Sequence, residues 1–449
     1  MRPNSRLMKA TLTGALGGLL YGFDTVVISG MIDPVSRIYG LSPHEIGITV
    51  AASPVGTIVG SFAAGVIGQR LGARSALRLA AALYVVAALA AACSISWPML
   101  LLARFAGGLA IGAASVLGPV YIAELAPAEL RGRLVGSFQI NVVCGILVGY
   151  ISNFLVRLTN AGSHIGVGDW RVMAGVGILP ASIFFILLLS IPRSPRWLVA
   201  RGHSDEALSV LNAMGYANAP AQLAEIQSAM NAEHATVHEP VFRWKYRYPL
   251  FLAITIGAFN QLTGINAILS YVHTIFTAAG FSQLSSDQQA IAIGATNLLF
   301  TLVGMALIDR FGRKSLLIAG AIGTAACLSG VAWVFATNSH QSALLGLLVA
   351  FIAFFALSQG LVVFVYIGEV FPNAVRSKGQ GVGNASLSAI NTAILFSFPV
   401  LAHAFSPQTP FIFFAVATVV QLIVVSLFYP ETKGRTLEEL QSKLVKAST

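Results

Sequence analysis

Tyr121-Ile122-Ala123-Glu124, followed by Pro127 and Arg131, returns as Tyr366-Ile367-Gly368-Glu369, followed by Pro372 and Arg376, at a constant offset of 245 residues. A second pair of matching stretches lies upstream. Gly65, Arg70, Gly72 and Arg74 correspond to Gly304, Arg310, Gly312 and Lys314, at offsets of 239 for the first glycine and 240 for the rest. One match of this kind arises by chance; two at corresponding places in each half indicate a duplicated chain. Both motifs close long apolar runs, and duplicated sets of such runs are the architecture of a carrier that rocks about a central site.

The 449 residues are 56% hydrophobic and only 10% charged, with 43 glycines, whereas a water-soluble domain carries about 25% charged residues. Lipid is therefore the expected solvent, and disorder, collagen and disulfide-stapled secreted scaffolds are excluded. A spanning helix needs about 20 mostly apolar residues. Twelve runs qualify, at roughly 11 to 32, 46 to 68, 76 to 96, 99 to 121, 134 to 156, 172 to 191, 249 to 278, 289 to 308, 315 to 336, 343 to 368, 381 to 403 and 410 to 429. The expected fold class is an all-α membrane protein, with twelve transmembrane helices in two six-helix bundles and short cytoplasmic helices. The bundles take residues 1–191 and 249–430. Between them, 192–248 is a cytoplasmic linker with helix-forming composition at Asp205 to Met214 and Pro220 to Glu233, and 431–449 is a tail in which Thr436-Leu437-Glu438-Glu439 opens a last cytoplasmic helix. Capping boxes also read at Ser42 with Glu45 and at Ser286 with Gln289.

With the N-terminus in the cytoplasm, only Arg37, Arg157 and Arg171 of the 27 Lys and Arg fall outside, and Arg104 lies within a span. That bias places both termini and the central loop on the cytoplasmic side of a plasma membrane, the inner membrane if the cell is bacterial. The net charge of +10 is thus a topology signal, and no nucleic-acid partner is expected. Arg2, Arg6 and Lys9 ahead of an apolar stretch have the form of a secretory signal. The run continues to about Ile32, carries Asp24 and lacks a small-residue cleavage site, so it reads as an uncleaved first span. Cys93, Cys144 and Cys327 lie in apolar runs without metal or disulfide spacing and read as packing residues. Glycines four residues apart (Gly14, Gly18 and Gly22; Gly56 and Gly60; Gly108 and Gly112) let helix backbones approach closely.

Asp24 is the one acidic residue well inside a span, where a carboxylate costs about 2.5 to 3.5 kcal/mol on insertion scales. The one cation in a span, Arg104, lies at similar depth, counting about 1.5 Å per residue. Two readings stand: a permanent structural ion pair, or a switch in which Asp24 is neutral in one state and ionised against Arg104 in the other. One charge moved across 100 mV supplies about 2.3 kcal/mol, enough for roughly fifty-fold accumulation of a neutral solute. The proton is then the coupling ion, with no cofactor and no metal. Amides form a second constellation at membrane depth: Gln139, Asn260, Gln261, Asn266, Asn297, Gln359 and Asn391. Amides donate and accept, as the hydroxyls of a sugar do; each alternatively serves as helix-to-helix glue. On a straight helix Gln261 and Asn266 point about 140° apart, so they share a cavity only if the backbone bends near Gly264. A third, cytoplasmic group comprises Arg70, Arg74, Glu124, Arg131, Arg133, Asp309, Arg310, Arg313, Glu369 and Arg376. These charges read as a gate that latches the inner side shut; ordinary positive-inside loops account for the arginines but not for Glu124 and Glu369 at equivalent places. No nucleotide-binding glycine loop, metal cluster or nucleophile–base arrangement appears, which disfavours an enzyme or an ATP-driven pump.

The whole chain resembles the sugar porter family of the major facilitator superfamily, and is similar to its bacterial proton-coupled monosaccharide symporters. The stretches that carry the likeness are Gly17-Gly18-Leu19-Leu20-Tyr21-Gly22-Phe23-Asp24, Arg104-Phe105-Ala106-Gly107-Gly108, Tyr121 to Arg133, Pro192-Arg193-Ser194-Pro195-Arg196-Trp197-Leu198, Gln261-Leu262-Thr263-Gly264-Ile265-Asn266, Asp309 to Lys314, Glu369 to Arg376 and Pro430-Glu431-Thr432-Lys433-Gly434-Arg435-Thr436-Leu437. The resemblance implies a sugar held between the two bundles. It makes Asp24, paired with Arg104, the proton-coupling carboxylate, at a place where facilitative carriers have asparagine. Gln139, Gln261, Asn266 and Asn297 match the family's sugar-binding amides, with Asn260 where many members have glutamine. Departures are also plain. Span ten reads Gln359-Gly360-Leu361-Val362-Val363-Phe364 in place of Gly-Pro and tryptophans, span eleven reads Leu387-Ser388 for Gln-Trp, and span seven keeps Tyr271 alone of a tyrosine pair. Gln69 stands where the repeat has Asp309, and Arg193 where the loop usually has glutamate.

The reading that follows is a proton-coupled symporter of a hexose or pentose, working by alternating access as a monomer in the lipid bilayer. Its rivals are a facilitative uniporter, against which Asp24 argues, and a sugar sensor that binds without transport.

Overall fold

The computed structural model describes residues 4–235, 240–372 and 375–433, apart from the side chains of 231–235, Asp309 and Ser377. Among the described residues the regular structure is helical throughout, and twelve helical segments are long and apolar enough to cross a membrane. They are Ser5–Gly30, Pro43–Leu71, Ala73–Ala92, Trp97–Leu125, Arg131–Leu158, Asp169–Leu189, Trp244–Ala278, Gln283–Ile308, Arg313–Thr337, Ala343–Glu369, Lys378–Ala404 and Thr409–Phe428, here spans one to twelve. Each coincides with an apolar run read from the sequence. Large apolar side chains such as Phe62, Leu102 and Leu427 stand on their outer faces, which suits lipid as solvent, since a helix satisfies its own backbone hydrogen bonds.

By contacts the chain divides into two compact units. One is Met1–Val27 with Ala52–Val237, the other Ile28–Ala51 with His238–Thr449. The first has a core of residues such as Leu20, Ile111, Tyr121 and Phe184, and the second one of residues such as Leu252, Leu317, Tyr366 and Phe371. The segment Ile28–Ala51, which the sequence reading puts in the first bundle, packs with the second unit. Its short helix Ile32–Tyr39 and the 3-10 turn Ile28–Gly30 lie against the second half of span seven, and a Cβ on Gly47 would overlap the carbonyl oxygen of Phe396.

The Ser42 capping box forms as expected: Glu45 accepts from both the Ser42 backbone N–H and its hydroxyl, at 2.8 and 2.7 Å. The box expected at Ser286 sits a turn too late. Ser282 is the N-cap of span eight, its hydroxyl oxygen accepting from the Ser285 N–H at 3.2 Å, because Gln283, Leu284 and Ser285 all tolerate the first turn. In the linker the helices are Pro195–Ala200, Ser204–Ala213 and Ala219–Ala235; the first was not expected, and Ser194 caps it by accepting from the Trp197 N–H. Leu198 and Ala207 are buried in the first unit's core, so this part of the linker is packed structure. Cys93 is exposed at the end of span three, unlike the buried Cys327. The expected helix at Thr436 lies outside the described residues.

Three spans are discontinuous. Span six breaks at Gly177, between Asp169–Val176 and Ile178–Leu189, where Pro180 has no N–H to offer Val176. Span seven breaks at Gly264 and span ten at Ser358. Broken helices free backbone groups at depth and commonly surround transporter binding sites.

Candidate functional site

Asp24 is brought to a four-span junction by close helix packing. A Cβ on Gly22 would overlap the Val142 carbonyl oxygen of span five, and a Cβ on Gly108 would overlap the Ser53 carbonyl of span two. Only glycine lets these backbones meet. At that junction Asp24 and Arg104 are 8% and 7% exposed. Arg104 Nη1 donates to Asp24 Oδ1 at 3.2 Å, the Ser53 hydroxyl to Oδ2 at 2.6 Å and the Tyr84 hydroxyl to Oδ1 at 3.3 Å. Three donors suit an ionised carboxylate, which only accepts. A protonated Asp24 becomes a donor on one oxygen, and the Ser53 hydroxyl can rotate to accept from it, so the cage accommodates either form. Arg104 Nε has no hydrogen-bond partner among the described residues. The sequence reading found Asp24 and Arg104 but missed Ser53 and Tyr84. The available signals were a hydroxyl one turn before Gly56 and a lone phenol in the apolar stretch of span three that follows Arg78.

In the second unit, Gly264 adopts the left-handed conformation (φ 79°) between Arg247–Leu262 and Ile265–Ala278. This is the bend that Gln261 and Asn266 require, and a Cβ there would also overlap the Phe414 ring. The bend joins the amides into a chain: Gln261 Nε2 donates to Asn260 Oδ1 at 2.9 Å, and Asn266 Nδ2 donates to Gln261 Oε1 at 2.9 Å and to Asn391 Oδ1 at 3.0 Å. Asn260 Nδ2 donates to the Gln359 carbonyl at 3.1 Å, just after the break in span ten. The Gln359 side chain is buried, and among the described residues neither of its amide atoms has a hydrogen-bond partner. Asn297 stands apart, its Oδ1 3.5 Å from the Thr301 hydroxyl that donates to it, and Gln139 lies half-buried on span five of the first unit. Phe364, in the span-ten stretch that departs from the family's pattern, is 50% exposed. Tyr271 donates to the Leu395 carbonyl at 2.8 Å and stacks on Phe398 at 4.8 Å between ring centroids.

The charged groups assigned to a cytoplasmic gate are only partly assembled within the units. Arg313 Nη2 donates to Glu369 Oε1 at 3.0 Å. The repeat offset of 240 puts Ala73 where the second half has Arg313, and Glu124 is instead influenced by Ser194 and Arg196. Arg74 Nη1 donates to the Ile191 carbonyl at 2.8 Å, and Arg376 Nε to the Phe371 carbonyl at 3.3 Å. Arg70, Arg131, Arg133 and Arg310 are exposed; the Asp309 side chain lies outside the described residues. Glu431, not singled out from sequence, seats its carboxylate on the N-terminus of span nine, accepting from the backbone N–H of Arg313 at 2.9 Å and of Lys314 at 3.0 Å. Burial alone would raise its pKa, but the N–H groups of Lys433, Arg313, Lys314 and Thr432 outweigh that and hold it below 4.5. Tyr366 donates to the Pro430 carbonyl at 3.1 Å, as Tyr121 does to the Pro192 carbonyl at 2.8 Å, so the duplication extends to single hydrogen bonds.

Among the described residues, no group of three or more His, Cys, Asp or Glu could hold a metal ion. The sequence profile described as "Sugar (and other) transporter" matches residues 10–444. The arabinose-proton symporter of Bacillus subtilis (strain 168) is 35% identical over 437 residues, spanning 96% of this chain and 93% of that protein. The D-xylose-proton symporter of Escherichia coli (strain K12) is 31% identical over 478 residues, spanning 98% and 96%. The inward open structure of the xylose transporter XylE from E. coli superposes with a TM-score of 0.86 at 30% identity, covering 97% of this chain and 99% of that one.

Proposed function

Since the chain belongs to the sugar (and other) transporter family, we propose that it carries a monosaccharide, a pentose or hexose, by proton symport with alternating access. Its twelve spans take the major facilitator fold. The observation that carries the coupling is the buried cage of Arg104, Ser53 and Tyr84 around Asp24. In the loaded form Asp24 is protonated and Arg104 released; after the proton leaves, the ion pair closes again. A carboxylate that alternates between these partners ties proton movement to conformation, because either form left unpaired in a low-dielectric interior is costly.

The sugar is held by Asn260, Gln261, Asn266, Asn297, Gln359 and Asn391 from the second six-span half and by Gln139 from the first. Residues 1–191 and 249–430 act as the two working halves and 192–248 joins them. Arg70, Arg74, Glu124, Arg131, Arg133, Asp309, Arg310, Arg313, Glu369 and Arg376 form the cytoplasmic gate, with Arg313–Glu369 as a strut within the second half. Both termini face the cytoplasm, a reading that the Lys and Arg distribution supports. The carrier works as a monomer in the plasma membrane, with the proton as coupling ion. The test is proton uptake: purified protein in liposomes without any imposed gradient should alkalinise the outside medium when D-xylose, L-arabinose or D-glucose is added. Sugar equilibration with no alkalinisation, for every sugar carried, would establish a uniporter instead.

A further inference from the structure

His273, Asp33 and Asp287 form a cluster that neither site above uses. His273 lies on Ile265–Ala278 and is 1% exposed. Its Nδ1 is 2.8 Å from Asp287 Oδ1 at the start of span eight. Among the described residues its Nε2 has no hydrogen-bond partner, and it stands 3.8 Å from Asp33 Oδ2 on the short helix Ile32–Tyr39. The Thr274 hydroxyl donates to the other Asp33 oxygen at 3.4 Å.

A neutral imidazole has one N–H. If it serves Asp287, the Nε2 lone pair faces the Asp33 carboxylate, which is repulsive. The imidazolium has two N–H groups, one for each aspartate, and its charge offsets one of theirs. The other elements packed on Ile265–Ala278 offer few competing charges. Arg37 and Tyr39 share the Asp33 helix, Tyr271 is engaged with the Leu395 carbonyl, and His403 is exposed near the end of span eleven. Asp309 and Arg310 lie at the far end of span eight, and Arg247 and Tyr248 at the far end of span seven. The turn Ile28–Gly30 and the helix Ala343–Leu357 carry none.

We propose that His273 is a proton-binding site distinct from Asp24, and that its protonation clamps the helix Ile32–Tyr39 onto span seven. Acid closes the clamp and alkali loosens it. That this end of the spans faces outside rests on the topology proposed above; the clamp itself does not. Nothing in the transport cycle need be measured to test it.

The experiment is hydrogen–deuterium exchange of residues 28–41 in the full purified chain at pH about 5.5 and about 8, corrected for the intrinsic chemical rate. Protection should be about tenfold greater at the lower pH. His273→Gln should abolish that dependence, and so should Asp33→Asn, whose side chain is 20% exposed and which preserves shape should the histidine variant fold poorly. Asp24→Asn should leave it intact. Equal protection of the wild type at both pH values overturns the clamp, as does a pH dependence that persists in Asp33→Asn or disappears in Asp24→Asn.

Discussion

Replacing Asp24 by asparagine keeps the side chain's shape and removes the charge that faces Arg104 at 3.2 Å. The variant mimics the protonated state permanently. Arg104, 7% exposed and already without a partner at Nε among the described residues, then loses its counter-ion, and a buried ion left unpaired costs about 3 to 5 kcal/mol. The amide oxygen still accepts one hydrogen bond, so the loss should fall at the lower end, about 3 kcal/mol, and appear as a reduced resistance to denaturant. The transport consequence is larger in kind. At an imposed potential of 100 mV one coupled proton supports roughly fifty-fold accumulation; the variant should reach a ratio of about 1 while retaining sugar counterflow. The assay is uptake of labelled pentose or hexose into proteoliposomes under a potassium diffusion potential, with counterflow measured in parallel. Accumulation at the wild-type level in Asp24→Asn refutes the coupling assignment. So does loss of counterflow together with accumulation in a protein that still binds sugar, which would leave Asp24 and Arg104 as a structural pair.

Gln261→Ala removes the central link of the amide chain, to which Asn260 and Asn266 are both bonded. Sugar affinity, read by isothermal calorimetry, should fall about ten- to hundredfold, since buried amide partners are left unsatisfied; unchanged affinity removes Gln261 from the site. Glu431 has a depressed pKa in the folded protein, so the stability it contributes is present above about pH 4.5 and fades as the pH falls through its lower folded value. Glu431→Gln should therefore lower the melting temperature at pH 7, with the gap to wild type narrowing below about pH 4.5, and a gap independent of pH contradicts that origin.

Sequence alone determined the solvent, the number of spans and the duplication. These depend on length, hydropathy and repeated short motifs, and lipid enforces them one helix at a time because each span must satisfy its own backbone. It also marked Asp24 and Arg104, since charge inside an apolar run is conspicuous without any neighbour. The bend at Gly264 was legible as a requirement: two amides on opposite sides of a straight helix could meet only if a glycine broke it, and Gly264 does so. Less was legible where the partner comes from a distant stretch. Ser53 and Tyr84 are an ordinary serine and an ordinary tyrosine until the Gly108 contact and the packing of span three set them around a carboxylate. Glu431 gains its role from a helix start more than a hundred residues away. Asp33, His273 and Asp287 read as unrelated loop and helix residues until Ile28–Ala51 packs with the second unit. Composition and periodicity act along the chain, whereas the state of a buried charge depends on which donors the other helices bring within about 3 Å of it, and that was decided by tertiary structure.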